Sequence, residues 1–226
     1  MINAITQYLA GEGSQILIAT FQTIQMVFLA VLFAHIVGIP LGIILVTTSP
    51  GHILENRVSN EILGTIINAA RSLPFIILLV LIIPFTRVLV GSSIGTMAAA
   101  VPLTVGAIPF VARMVETSLK EVEWGIIEAA LAMGATPWQI ITKVLLPESM
   151  ASLILGATIT TITLVGYSAM AGFVGGGGIG DLAMRFGYYR YRLDILLITV
   201  IILIVMVQAV QMIGEKLAGS VNRKQS

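Results

Sequence analysis

Five long apolar stretches run through this chain, and they leave few folds open to it. The first extends from about Ile16 to Val46 and is densest from Met26 onward. The others cover about Ile62 to Ile83, Ile94 to Val115, Met150 to Val174 and Ile195 to Ile213. A bilayer core about 30 Å thick needs ~20 apolar residues in helical form to cross it. The stretches are continuous rather than alternating, so they predict helices and not the strands of a membrane barrel. Composition agrees: 57% of the 226 residues are hydrophobic and only 10% charged, with a mean hydropathy of +1.01. A soluble domain carries roughly a quarter charged residues, and a chain this apolar can neither coat a water-facing surface nor stay apart as a disordered coil. The expected fold class is all-α: a polytopic membrane protein with five transmembrane helices and no soluble domain.

The charged residues are too evenly balanced, 12 basic against 11 acidic, to form a nucleic-acid-binding face. Membrane lipid is the expected environment, and nucleic acid is not an expected partner. The absence of cysteine removes disulfides, iron–sulfur ligation and thiolate chemistry. The two histidines, His35 and His52, stand far apart, so neither a metal nor a cofactor is expected. No lysine or arginine precedes Arg57, so the N-terminus lacks the basic segment of a signal peptide and is expected outside. Five crossings then bring the C-terminus to the cytoplasm. Arg57, Arg113, Lys120, Lys143, Lys216, Arg223 and Lys224 fall on the inner side, against Arg87, Arg185, Arg190 and Arg192 outside, with Arg71 ambiguous. That bias places the polar interruption from about Glu116 to Glu148 in the cytoplasm.

Within this interruption Leu119, Val122, Ile126, Ile127, Ala130 and Leu131 recur at three- and four-residue steps, which predicts one amphipathic helix. Glu116 and Lys120 stand four apart in the favourable order for an ion pair. Gly134 is suited to end the helix in a left-handed conformation. Thr136-Pro137-Trp138-Gln139 then restarts one, with threonine as N-cap, proline at the first helical position and glutamine completing a capping box. Pro147 marks a further break before the fourth stretch. Periodicity alone fits a helix resting on lipid headgroups as well as it fits a docking element.

The residues carry more than the periodicity. Glu128-Ala129-Ala130, then Gly134, then Val144-Leu145-Leu146-Pro147, resembles the cytoplasmic loop of bacterial ABC importer permeases, departing only in Val144 for isoleucine. The resemblance covers roughly residues 20 to 213, and it implies the type I permease fold with a cytoplasmic coupling helix. It also implies a permease domain over 16–213, the coupling loop at 116–147 and a short cytoplasmic tail at 214–226. By the same resemblance, Glu128, Ala129, Ala130, Gly134, Leu146 and Pro147 form the contact with a separate ATPase subunit, in a helix-in-groove mode. Arg71-Ser72-Leu73-Pro74-Phe75 resembles the Arg-x-x-Pro element of amino-acid importer permeases. Pro84 to Val88, Pro102 to Gly106 and Thr163 to Met170 look most like the methionine-uptake permeases. The implied assembly is two copies of this chain, two ATPase subunits and an extracytoplasmic lipoprotein that delivers D- or L-methionine.

Other features have duller readings beside functional ones. Gly175-Gly176-Gly177-Gly178-Ile179-Gly180 contains the G-x-G-x-x-G spacing, yet it lacks the preceding strand and the acidic partner of a dinucleotide fold. Sharp turning with close backbone approach is the simpler use, and a gate or a contact with the binding protein is the alternative. Ser152, Gly156 and Thr160 follow the small-xxx-small spacing of packed membrane helices. Tyr167, Ser168 and Met170 are the candidate pathway-lining residues, with Arg71 as a candidate at membrane depth that could equally snorkel to the surface. His35 is also expected at membrane depth, where a functional role stands beside the reading of a neutral side chain hydrogen-bonded to a neighbouring helix. The residues Arg185, Arg190 and Arg192, with Tyr188, Tyr189 and Tyr191, form a basic aromatic rim that headgroup anchoring or a binding protein would explain equally. No acid is expected inside any span, which argues against the alternative of an autonomous gradient-driven transporter or channel. Nor does the chain carry the residue clusters an enzyme site needs.

Overall fold

The computed structural model describes residues 2–222, with side chains placed for residues 13–221. Arg223 and Lys224, assigned above to the inner side, lie outside the described residues. Helix α1 (Ile2–Thr47) is followed by α2 (Arg57–Arg71), α3 (Phe75–Leu81), α4 (Ile83–Val90) and α5 (Thr96–Lys120). After α5 come α6 (Trp124–Ala132) and α7 (Pro137–Ile140), which continues through a π-helical turn at Ile141–Leu145 into α8 (Leu146–Glu148). The chain ends with α9 (Met150–Ala171), α10 (Gly178–Leu182) and α11 (Leu193–Asn222). Every regular element among the described residues is helical, as the continuous apolar runs require.

Among the described residues, four segments are long and apolar enough to cross a membrane: Gly13–Thr47, Thr96–Lys120, Met150–Val174 and Leu193–Val221. The fifth expected crossing, Ile62 to Ile83, is not one rod. It is the pair α2 and α3, bent by 98° at the break. Pro74 explains the bend, since it has no N–H to donate and biases Leu73 away from helical geometry. Arginine, asparagine and glutamate make α2 polar, and the Asn56 side chain caps it by accepting from the Ser59 N–H at 3.0 Å. The third helix runs past its expected end at Val115 to Lys120 and so brings Glu116 inside it. The expectation that no acid lies inside any span is corrected accordingly at Glu116, and Asp194 and Glu215 fall within the last apolar segment, Leu193–Val221. The last helix likewise continues to Asn222, so the described part of the expected tail is helical.

The chain divides into two compact units. The first comprises Met1–Val31, Pro74–Thr104 and Thr161–Ala209, the second Leu32–Leu73, Val105–Thr160 and Val210–Ser226. Each long helix contributes to both. In the first unit, Ala19 of α1, Ile179 and Leu182 of α10 and Ile195 of α11 form a buried cluster. In the second, Leu45 of α1, Ile67 of α2 and Ala112 of α5 do the same. Helix α1 approaches α5 there through Gly38 and Gly42, a small-xxx-small pair. A Cβ at Gly42 would lie 2.6 Å from the Ala112 carbonyl oxygen, and one at Gly38 would lie 2.6 Å from Val111 Cγ1. Dispersion between backbones that close replaces the water-driven term missing in lipid.

Candidate functional site

The loop between α5 and α9 lies wholly in the second unit and holds the motif residues. The expected single amphipathic helix is instead broken: α5 ends at Lys120, residues 121–123 turn, and α6 begins at Trp124. Leu119 and Val122, which kept the apolar period running, belong to the preceding helix and the turn. Gly134 ends the helix with φ +78°, the left-handed region glycine favours. The Gly134 and Ala135 N–H groups then donate to the carbonyls of Leu131 and Ala130 at 2.9 and 3.1 Å. The expected capping box forms in full: the Gln139 N–H donates to Thr136 Oγ1 at 3.4 Å, and the Thr136 N–H donates to Gln139 Oε1 at 2.9 Å. Two short helices are thereby locked into a rigid corner.

The corner has two sides. Ile127, Ala130, Ile140, Ile141 and Leu145 are buried, so the inward side packs on this unit's own chain. Glu128, Ala129 and Gly134 are exposed, along with two large apolar side chains, Met133 at 82% and Trp138 at 72%. Of the two motif alanines, Ala129 is available for contact. Ala130 is inside the corner, where its small size serves internal packing. Leu146 is half-buried and Pro147 exposed. Neither Met133 nor Trp138, the latter named only within the helix restart, was picked out as an exposed contact residue, because both fall in the unspecified gaps of the motif. Their signal was their size beside a helix end.

Beneath the corner, the predicted Glu116–Lys120 pair forms at 2.8 Å. It is part of a larger set, because Arg113 Nη1 also donates to Glu116. Arg113 Nη2 reaches α2, donating to the Gly64 carbonyl at 3.2 Å and to Asn68 Oδ1 at 2.9 Å. The Ser152 hydroxyl of α9 donates to Glu121 in the turn. In the α1–α2 loop, the His52 ring meets the Trp124 ring edge-on, with centroids 5.6 Å apart and an interplanar angle of 70°. Burial lowers the His52 pKa below its ordinary value of 6.5, and the Lys120 charge pushes the same way.

The pathway candidates fall in different units: Arg71 in the second, and Tyr167, Ser168 and Met170 in the first. Arg71 is exposed in the last turn of α2, at the lip of the bend. Tyr167 stacks on Phe75, with centroids 4.6 Å apart and 6° between planes. This joins the Arg-x-x-Pro element to the fourth span, a contact that sequence spacing does not reveal. Met170 is exposed, whereas Ser168 is buried with its hydroxyl donating to the Val165 carbonyl at 2.7 Å. Ser168 therefore spends its polarity on its own helix.

The glycine run folds back between α9 and α10. A Cβ at Gly180 would lie 2.4 Å from Ala169 Cα, and one at Gly172 would lie 2.3 Å from the Asp181 nitrogen. Helix α1 supplies caps from outside the hairpin: Gln22 Oε1 accepts the Gly178 N–H and Thr23 Oγ1 the Ile179 N–H, both at 2.9 Å. In the rim beyond, Arg185 pairs with Asp181 at 2.6 Å and Arg192 with Asp194 at 2.5 Å, while Tyr188, Tyr189 and Tyr191 are exposed.

A family model described as the binding-protein-dependent transport system inner membrane component matches residues 38–223. The probable D-methionine transport system permease protein MetI of Vibrio cholerae is 52% identical over 222 residues, covering 98% of this chain and 99% of the relative. The D-methionine transport system permease protein MetI of Escherichia coli is 57% identical over 152 residues, covering 67% of this chain and 70% of that protein. A solved structure of the MetNI methionine ABC transporter in an inward-facing conformation has a TM-score of 0.92 at 47% identity, covering 93% of this chain and 98% of that one. An amino acid ABC transporter with histidines has a TM-score of 0.77 at 18% identity over 95% of this chain and 97% of that one, a likeness of fold alone.

Proposed function

We propose, because this chain belongs to the binding-protein-dependent transport system inner membrane components, that it is the permease subunit of an ATP-driven importer of methionine. The chain is a multi-pass inner-membrane protein, and its own task is to form the passage rather than to catalyse a reaction. ATP hydrolysis falls to two copies of a separate ATPase subunit. A second copy of this chain completes the passage, and an extracytoplasmic binding protein delivers the amino acid. The relatives named for D-methionine transport, at about half identity over most of the chain, support the substrate. The N-terminus is outside and the C-terminus in the cytoplasm, which puts the α5–α9 loop on the ATPase side.

One observation carries the mechanical part of this reading: the α6–α7 corner is buried on one side and presents Glu128, Ala129, Met133, Gly134 and Trp138 on the other. Exposed apolar side chains on a rigid corner beside a carboxylate suit a protein groove. Closure of the ATPase pair pulls two such corners together, and the spans switch between inward- and outward-open states as rigid bodies. Tyr167 and Met170, with Phe75 behind the tyrosine ring, line the passage, and Arg71 stands at the bend of the second crossing. Glu116 does not revive a gradient-driven carrier, since its carboxylate is held by Arg113 and Lys120 and is not open to a coupling ion.

Substituting Glu128→Lys or Gly134→Leu tests the assignment in the reconstituted complex. Insertion is expected to remain intact while methionine uptake per ATP hydrolysed falls by about tenfold. Unchanged coupling in both variants would overturn the assignment.

A further inference from the structure

We propose that Arg113 is the positioning residue that transmits movement of the coupling corner to α2, the first arm of the bent second crossing. This rests on the reading of the α5–α9 loop as the coupling loop, and it names the route by which that loop acts on the membrane helices.

The route is a set of directed bonds within the second unit. One face of the Arg113 guanidinium serves α5 through Glu116, and the other serves α2 through the Gly64 carbonyl and Asn68 Oδ1. From Arg113 the helix is unbroken to Lys120, whose ammonium closes on the same Glu116 carboxylate at 2.8 Å. Only the three-residue turn at 121–123 then separates it from α6, and that turn is pinned to α9 through Ser152 and Glu121. A push on the corner therefore reaches Lys120 with little slack. From there it passes along a rigid helix to a fork that grips the last two turns of α2. The other end of α2 is also tied, because Asn60 Nδ2 donates to the Leu45 carbonyl at 2.6 Å and to Thr48 Oγ1 at 3.1 Å. With both ends held, α2 moves as a unit.

The chemistry suits transmission better than stabilisation. Glu116 is buried, and the Arg113 Nε is a buried donor without a hydrogen-bond partner among the described residues. Buried ion pairs often add little to stability compared with an apolar pair of similar shape, so stability alone gives this set little reason to exist. A planar fork can bond two helices at once. A lysine is a point charge on a flexible stem and cannot do the same.

The test uses the complete complex in proteoliposomes, with the binding protein present, and reads methionine uptake per ATP hydrolysed together with the thermal midpoint. The paired substitution Arg113→Leu with Glu116→Leu is expected to assemble with its thermal midpoint and basal ATP hydrolysis unchanged, while uptake per ATP falls by about fivefold or more. Asn68→Leu, which removes only the α2 side of the fork, is expected to lower the ratio in the same direction. Arg113→Lys, which keeps the charge but not the fork, is expected to remain impaired. Gly134→Leu serves as the reference for the coupling loop. If Gly134→Leu uncouples and the Arg113 and Asn68 variants do not, the proposal is overturned while the loop reading stands. If Gly134→Leu also leaves coupling intact, both fall. Should the paired variant fail to assemble, Asn68→Leu and Arg113→Lys decide: a lowered ratio supports the route, and a wild-type ratio overturns it.

Discussion

The glycine hairpin after α9 and the corner after α5 are both short helical turns joining long apolar helices, yet they treat their surfaces in opposite ways. In the hairpin, Gly172, Gly176, Gly178 and Gly180 are buried, and backbone meets backbone with no room for a methyl group at Gly172 or Gly180. Its free N–H groups are taken by Gln22 and Thr23 of a distant helix. The corner satisfies its own ends with Gly134 and the Thr136–Gln139 box, and so its outer side remains available to another molecule. A loop that depends on the rest of its unit for its hydrogen bonds is part of the scaffold. A loop that completes them itself can move as a body against a partner.

Substitution should separate the two most sharply at their glycines. Gly180→Leu forces a side chain into the Ala169 backbone, an overpacking that costs about 3 kcal/mol or more. The expected outcome is loss of folded protein, read as yield and thermal midpoint in detergent. Gly125→Ala in α6, where a Cβ meets nothing within 4 Å, should leave both at wild type. Equal tolerance at the two sites would remove the distinction drawn above. Thr136→Ala comes next in size. It removes the corner's own cap, worth about 1 kcal/mol, and amide exchange over residues 136–140 should rise about fivefold while the hairpin's exchange stays unchanged.

The smallest effect concerns His52 and Trp124, which join the corner to the α1–α2 loop. Burial favours the neutral imidazole, so an unfolded or detached His52 binds the proton more readily than the packed one. The contact is therefore fully present above pH 6.5 and is lost as pH falls from there through the lower value of the packed imidazole. With Trp138→Phe, Trp124 becomes the sole indole of the two in the chain. Its fluorescence should be quenched by the imidazolium with a midpoint below 6.5, the ordinary histidine value. A midpoint at or above that value would mean that His52 is not buried against the ring.

Several elements were legible from the residues alone because their causes are local. The fourth crossing, Met150–Val174, has the bounds its apolar run predicts. Gly134, the Thr136 capping box and the Glu116–Lys120 pair each depend on residues no more than four apart. The breaks at Pro74 and at residues 121–123 were hidden for the opposite reason. Hydropathy counts apolar residues without regard to chain direction, so the run through Pro74 looked continuous. The period through Leu119 and Val122 likewise looked like one helix.

By itself, then, the sequence determined the helical class, the membrane setting and the chemistry of the corner's caps, because each follows from composition or from neighbours along the chain. Tertiary structure alone decided that Ala130 turns inward while Ala129 faces out, that Tyr167 finds Phe75, and that Arg113 reaches across to Gly64 and Asn68. Those outcomes depend on which helices lie side by side. In an apolar setting that choice is made by close backbone approach, as at Gly38 and Gly42, and by the partners open to a buried charge.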